Sequence, residues 1–205
     1  MGNTEDLNGS LIPIWGRESS NVCLKRRYKW KAINTMTDEI FILIDKAGFA
    51  NWEVVLLGLQ GVPGCNSILS SEVVQNFAEK QLLQVEPSNK NFVDIYTLAT
   101  ENLTAVESIE VIKASGMGTD MYKARKIWRA FSLMQVINNI PTNPLYGMIR
   151  LGEFWNAWEW PQDAAICMQT NDVIATSSSI PSREEFIQIL ESNKKWLAKE
   201  IKLLR

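Results

Sequence analysis

The sequence predicts an all-α protein of seven to nine short helices, in one compact domain or two small lobes, after an irregular N-terminal arm. Three observations support this prediction: apolar residues recur at helical spacing, capping residues precede these stretches, and glycine or proline follows most of them. The predicted division is an arm over residues 1–36, basic toward its end, and a helical domain over 37–205. If there are two lobes, their boundary lies near 116–119.

The first half of the helical domain contains four predicted helices. Thr37, Asn51 and Ser70 are residues of the kind that cap helices, because their side-chain oxygens accept a hydrogen bond from an early backbone N–H. A glycine or proline ends each of the first three apolar stretches. The predicted helices span residues 37–48, 52–60, 70–86 and 91–100. In the fourth, we expect the inward-facing residues to be Phe92, Ile95, Tyr96 and Ala99.

The second half contains four more predicted helices. Thr104 with Glu107, and Ser182 with Glu185, have the spacing of capping boxes, in which hydroxyl and carboxylate each accept from the other residue's backbone N–H. Pro144 is tolerated in the first turn of a helix. The predicted helices span residues 104–116, 119–138, 144–158 and 182–204, with a loop over 169–181.

The sequence contains no histidine, which excludes the common serine–histidine–aspartate and cysteine–histidine catalytic sites. It also lacks a P-loop and a dinucleotide-binding fingerprint. Glu153 and Glu159 could do acid–base chemistry only if their helix ends between them, since residues six apart lie on different helix faces. Cys65 has no base nearby in the sequence to activate its thiol. We therefore predict a protein that is not an enzyme and uses no cofactor.

The cysteines and the apolar stretches predict the compartment. Cys23, Cys65 and Cys167 are far apart and odd in number, which favours reduced thiols over a disulfide framework. Without histidine they are too few for a structural zinc site, so no metal is expected. No stretch approaches the ~18 apolar residues of a membrane span, and residues 1–10 lack a signal-peptide core. These features predict a cytoplasmic protein that does not associate with membranes.

The small net charge of −2 is unevenly distributed. Residues 37–118 hold eleven acidic and four basic side chains, whereas the segments on either side are net positive. This central third could present an acidic face to a cationic partner, or it could be an ordinary solvated helical surface. Residues 25–31 interleave basic and aromatic side chains, which is compatible with nucleic-acid binding or with a basic edge whose aromatic rings pack inward. We expect no direct nucleic-acid binding.

Residues 153–163 contain three tryptophans within six positions, flanked by Glu153, Glu159 and Asp163. Tryptophan is frequent both in binding hot spots and in cores, because it buries a large rigid ring and keeps one hydrogen-bond donor. We expect two of the three rings to be structural and one to reach a partner together with the neighbouring carboxylates.

Three segments resemble a family of small helical bacterial proteins without assigned activity: 52–59 (WEVVLLGL), 68–78 (ILSSEVVQNFA) and 154–163 (FWNAWEWPQD). The family pattern has a tryptophan-led helix, a leucine–serine start to the next helix with a late alanine, and an acidic, aromatic stretch ending in Tyr-Pro-Glu-Asp. The resemblance covers roughly residues 50–200 and leaves the arm outside. In this chain Trp160 and Gln162 replace the tyrosine and glutamate of that ending, and the first acidic positions are partly lost.

Proteins of this kind look like immunity proteins of polymorphic-toxin or contact-dependent growth-inhibition systems. The resemblance implies that the chain binds the C-terminal domain of a cognate toxin, such as a nuclease, and blocks its active site or its access to substrate. The expected interface combines the tryptophan-rich segment with the central acidic surface, at residues Glu153, Trp158, Glu159, Asp163, Glu107 and Glu110. The alternative is a helical scaffold or regulator that binds another cellular protein or nucleic acid.

Overall fold

The computed structural model describes residues 35–165 and 182–205, and these contain eight helices and no strand. The all-α prediction is confirmed for this part of the chain. The predicted arm, except for its last two residues, and the loop predicted at 169–181 lie outside the described residues. The helices are α1 (Met36–Lys46), α2 (Trp52–Gln60), α3 (Ser71–Leu82), α4 (Phe92–Thr100), α5 (Ala105–Ala114), α6 (Met121–Asn138), α7 (Pro144–Ala157) and α8 (Arg183–Leu204).

Helix starts follow the predicted capping residues, with one exception. Both capping boxes form, at the starts of α5 and α8. The prediction that Thr37 caps α1 is wrong, because the hydroxyl oxygen of Thr35 accepts the backbone N–H of Asp38 at 3.1 Å instead. Thr37 is fully buried, and its hydroxyl donates to the backbone carbonyl of Ser67 at 2.7 Å. Thr37 therefore ties α1 to the segment before α3 rather than starting the helix.

Helix α6 lies at the centre of the fold, where it packs against α1, α2, α7 and α8. Its Trp128 is fully buried and donates its indole N–H to the backbone carbonyl of Val54 in α2 at 2.8 Å. Gly58 makes the close approach of α2 possible, since a Cβ there would lie 2.9 Å from the Trp128 ring. Ile127 and Phe131 are buried on the same helix.

Helices α3, α4 and α5 form a second layer of packing, with α4 in contact with both of the others and α5 also against α2. Ile95 and Ala99 of α4 are buried, as predicted. The prediction that Tyr96 faces inward is wrong, because its side chain is 52% exposed. Leu98 takes the inward position instead, so the buried face of α4 is rotated from the predicted one. The predicted lobe boundary near 116–119 stays a prediction.

The C-terminal helix α8 packs against α6 and α7 through an apolar stripe that contains two polar residues. Phe186, Ile189 and Leu204 supply buried apolar contacts along this stripe, and Asn193 and Glu200 occupy buried positions between them. The amide oxygen of Asn193 accepts the indole N–H of Trp155 in α7 at 2.8 Å, and its amide nitrogen donates to the Ile189 carbonyl. The buried amide of Asn193 and the buried indole N–H of Trp155 are thus both hydrogen-bonded.

We predict that Asn193→Ala destabilises the protein by about 1–3 kcal/mol, because it leaves the buried indole N–H of Trp155 without an acceptor. Chemical denaturation followed by tryptophan fluorescence measures this change. The matched control is Asn156→Ala on the exposed side of α7, for which the change should stay within about 0.5 kcal/mol. Equal destabilisation by the two variants would show that the hydrogen bond from Trp155 to Asn193 does not stabilise the fold.

Candidate functional site

The tryptophan-rich segment forms the end of α7 and the turn that follows it. The backbone N–H of Trp160 donates to the carbonyl of Trp155 at 3.0 Å, which closes the last turn of the helix. Glu159 and Trp160 have left-handed backbone conformations, with φ of 60° and 44°. Such conformations cost roughly 1–2 kcal/mol per non-glycine residue, and packing of the Trp160 ring against the core helps to offset that cost.

The three rings of this segment are buried to different extents. Trp155 is fully buried, Trp158 is 3% exposed, and Trp160 is half-buried against the core. The Trp158 ring lies beneath the guanidinium of Arg125, 5.5 Å from it. Its indole N–H has no hydrogen-bond partner within the described part of the chain. The Trp158 side chain therefore presents almost no surface to a partner in this conformation.

Arg129 of α6 forms a buried ion network that joins α8 to the segment after α7. One guanidinium nitrogen donates to Asp163 Oδ1 at 3.1 Å, and the other donates to Asp163 Oδ2 at 2.8 Å and to Glu200 Oε1 at 3.3 Å. The guanidinium also lies 4.9 Å from the centre of the Trp196 ring, within range of a cation–π interaction. Arg129 and Glu200 are buried, whereas half of the Asp163 side chain remains exposed.

Neither Arg129 nor Glu200 is among the interface residues predicted from the sequence. The sequence does indicate a buried position for Glu200, because this residue lies four residues from both Trp196 and Leu204 and so falls on the apolar stripe of α8. A carboxylate at such a position needs a buried cation. The partner could not be chosen from the sequence, since Arg129 is seventy-one positions away and one of many basic residues.

Glu153 and Glu159 are exposed at the end of α7, as the predicted interface requires. Glu153 pairs with Arg150 one turn earlier at 3.3 Å, and both side chains are about half exposed. Glu159 is 83% exposed and lies 3.7 Å from Arg125. Exposed pairs of this kind contribute roughly 0–1 kcal/mol to stability. Both carboxylates can therefore exchange their present partner for another at little cost.

Glu107 and Glu110 lie on α5, apart from the tryptophan-rich segment. The main packing partners of α5 are α2 and α4, whereas those of α7 are α6 and α8. Glu107 belongs to the capping box, where Oε2 accepts the backbone N–H and the hydroxyl of Thr104, both at 2.8 Å. These hydrogen bonds lower the pKa of the Glu107 carboxyl from its ordinary value. The predicted residues therefore occupy two regions of the molecule rather than one.

Helices α3 to α5 and the residues that connect them carry exposed carboxylates, including both of the α5 carboxylates. Residues 71–113 hold seven acidic and three basic side chains. We define the acidic surface by its exposed carboxylates, Glu72, Glu79, Glu86, Glu101, Glu107 and Glu110. None of these six is ion-paired with another residue in the described ranges.

Four large apolar side chains are exposed on the same three helices and the residues that connect them. Their exposed fractions lie between 52% and 84%, and they are Leu83, Val93, Tyr96 and Val106. Val93 and Tyr96 are three residues apart and therefore lie on one side of α4. Exposed apolar side chains among carboxylates are typical of interaction sites, whereas scattered single ones are common on any protein surface.

The described residues also bear on metal binding and nucleophilic chemistry. In the part of the chain that the structure describes, no three cysteine or carboxylate side chains are placed to hold a metal ion. Cys65 is a free thiol, half-buried near Thr37, and burial raises its pKa. A raised pKa keeps the thiol protonated at neutral pH, so it is a poor nucleophile. Cys23 and Cys167 lie outside the described residues.

The described residues thus define an all-α protein with an exposed acidic surface. The chain belongs to a family of uncharacterized proteins conserved in bacteria, DUF2247, whose model matches residues 41–201. This match confirms the coarse part of the resemblance, a bacterial family without assigned activity. No curated protein and no solved structure matches the chain. None of the described helices combines the length and apolar character needed to cross a bilayer.

We predict that Arg129→Met destabilises the protein by about 3–5 kcal/mol, because it leaves the Glu200 carboxylate buried without its cation. The control is Arg125→Met, one turn earlier on α6, where the arginine side chain is 48% exposed and its ion pair is weak. The free energy of unfolding of the control should fall by less than about 1 kcal/mol. Chemical denaturation of both variants measures the difference, and similar losses would show that the buried network does not stabilise the fold as described.

We predict that Glu107→Gln lowers stability at neutral pH by an amount that shrinks as the solution is acidified. The folded-state pKa of Glu107 is lowered, so its carboxylate stabilises the folded protein above the ordinary glutamate range. That contribution is lost as the pH falls through the folded-state pKa. Denaturation of both proteins at several pH values tests this, and a difference that does not change with pH would contradict it.

Proposed function

We propose that this protein is an immunity protein that binds the C-terminal domain of a cognate toxin and neutralises it by blocking its active site or its access to substrate. The acidic surface on α3 to α5 is the main contact, and the partner presents a cationic face. The observation that supports this most is the set of six exposed carboxylates without an ion pair in the described residues, together with four exposed apolar side chains.

The charges of the acidic surface favour a basic partner for a physical reason. The excess of exposed carboxylates gives this part of the molecule a negative potential, which attracts a cationic partner. Complementary charge also speeds association, which suits an inhibitor that must capture a toxin before it acts. Many toxins that cleave nucleic acid carry basic surfaces, because they must bind the phosphate backbone.

The exposed apolar side chains supply the short-range part of the proposed contact. Tyr96 combines a large ring with a hydroxyl, and tyrosine is among the residues enriched in binding hot spots. Leu83 and Val93 are more exposed still and are otherwise left in water. Their burial by a partner is favourable at roughly 25 cal/mol per Å² of apolar area. Charge then guides the encounter, and apolar contact holds the complex.

The tryptophan-rich segment has a smaller role in this proposal than the sequence indicates. Trp158 is buried, and both oxygens of Asp163 are engaged by Arg129. Glu153 and Glu159 stay candidates for a second contact, since their carboxylates are exposed and weakly paired. Glu107 and Glu110 belong to the main contact. The proposal requires no catalysis and no cofactor, because blocking a toxin needs only binding.

The proposal predicts that a toxin gene adjoins the gene for this protein, and that co-expression with the toxin's C-terminal domain restores growth. We expect Glu110→Lys to weaken the complex by about fivefold to tenfold, mainly through slower association and a reduced salt dependence. Surface plasmon resonance at several salt concentrations measures this. Rescue of growth should fall in parallel when the toxin is expressed at high level.

The matched control is Glu191→Lys on α8. Both glutamates are exposed in a helix and have a lysine three residues later, so the two reversals create the same local repulsion. The control should change affinity by less than about twofold. Equal weakening by both variants would contradict the assignment of the surface. An unrelated neighbouring gene, with binding to a different cellular protein, would instead favour the scaffold reading.

A further inference from the structure

A small pocket of about 100 Å³ opens on the acidic surface, between the start of α3, the end of α4 with the residues after it, and α5. Two carboxylates of the acidic surface, Glu72 and Glu101, line this pocket. Neither is ion-paired with another residue of the described ranges. The described residues that line the pocket include no lysine and no arginine. The pocket therefore attracts a cation and repels an anion.

Ser108 provides an independent observation that points to a ligand. This residue is buried and lines the pocket from α5, and its hydroxyl makes no hydrogen bond within the described part of the chain. Among the described residues, the unpartnered side-chain polar atoms that are sealed from solvent belong to Arg129, Ser132 and Trp158. The Ser108 hydroxyl is not one of them, so it is accessible from the pocket. A nearly buried hydroxyl without a protein partner is usually satisfied by water or by a ligand.

The other polar groups of the lining are hydrogen-bond acceptors as well. Gln75 donates an amide N–H to the Ala99 carbonyl at 2.9 Å, and its amide oxygen is a further acceptor. Asn102 adds a second amide oxygen from the segment after α4. Acceptors thus come from three separate segments of the chain. The three N–H donors of a primary ammonium group diverge and can use such acceptors, whereas a planar guanidinium is best matched by one carboxylate fork.

The size and the apolar part of the pocket select the end of a side chain. The volume is below the range of small-molecule sites, roughly 300–1,000 Å³. Val74, Leu98 and Leu103 also line the pocket, and they can pack against the methylene groups of a bound stem. No three cysteine or carboxylate side chains of the described residues are placed to hold a metal ion. A lysine side chain, with a compact charge on an apolar stem, matches both parts of the lining.

We propose that this pocket receives the ammonium group of a lysine side chain from the protein that binds the acidic surface. Glu72 and Glu101 neutralise its charge, and Ser108 accepts one of its hydrogen bonds. The source of the lysine rests on the proposed function, because the toxin domain is the partner that supplies it. The preference for a primary ammonium group is a property of the pocket and does not depend on the partner.

The first experiment tests the pocket on the free full chain. n-Butylammonium is titrated into the ¹⁵N-labelled protein at constant ionic strength, and backbone amide signals are followed by NMR. We expect a saturable shift at Gln75, Asn102 and Ser108, with a dissociation constant on the order of 10 mM. Tetramethylammonium has the same charge but no N–H, and it should give no saturable shift at these residues. No saturable shift with n-butylammonium, or equal affinity for tetramethylammonium or n-butylguanidinium, overturns the proposal.

Matched variants separate the pocket from general effects of charge and packing. Glu72→Gln and Ser108→Ala should each weaken n-butylammonium binding by about threefold or more. The control for the first is Glu184→Gln, because Glu184 is also exposed in the first turn of a helix. The control for the second is Ser132→Ala, because Ser132 is a buried helix serine whose hydroxyl is sealed. Neither control should change binding, and unchanged binding by either pocket variant overturns the proposal.

The second experiment identifies the lysine in the complex with the toxin domain. A water-soluble carbodiimide joins carboxylates to amines in contact, and mass spectrometry should find Glu72 or Glu101 linked to a lysine of the toxin. A complex that forms without such a link overturns the assignment of the lysine but not the proposed function. A chain that binds n-butylammonium and neutralises no toxin has the pocket and contradicts the proposed function, so the two proposals fail separately.

Discussion

A buried guanidinium holds together the C-terminal half of the described fold. Arg129 extends from the central helix α6 and binds Glu200 of α8 and Asp163 beyond α7, so one side chain fixes three separate segments. Its charge is acceptable in the interior only because both carboxylates and the Trp196 ring surround it. About two turns earlier on the same face of α8, Asn193 accepts the indole N–H of Trp155 in α7. The placement of α8 against α6 and α7 depends on these polar contacts.

Local signals predicted most of the helices, because capping and apolar spacing act within a few residues. The two capping boxes and the caps at Asn51 and Ser70 are where the sequence indicates. Thr37 and Tyr96 were predicted incorrectly for one reason: burial is decided by packing between distant segments. Thr37 is buried through its contact with Ser67, and the orientation of α4 is set by α3 and α5. Neither contact has a signature in the local sequence.

Less of the candidate site than of the fold could be predicted from the sequence. The acidic middle of the chain could be recognised from composition, and its exposed carboxylates on α3 to α5 agree with that observation. Which rings of the tryptophan-rich segment are buried could not be predicted in this way, because a sequence does not distinguish a tryptophan of the core from one of an interface. Trp158 is buried beneath Arg125, a contact between residues thirty-three positions apart.

We propose that the acidic surface, rather than the tryptophan-rich segment, is the main contact with a basic toxin domain. Hydrogen–deuterium exchange, measured on the protein alone and in complex with the C-terminal domain of the proposed cognate toxin, tests this assignment. We expect slower exchange within residues 72–113 of the complex than of the free protein, with a smaller change at the end of α7. Protection concentrated at residues 153–163, with residues 72–113 unaffected, would show that the acidic surface is not the main contact.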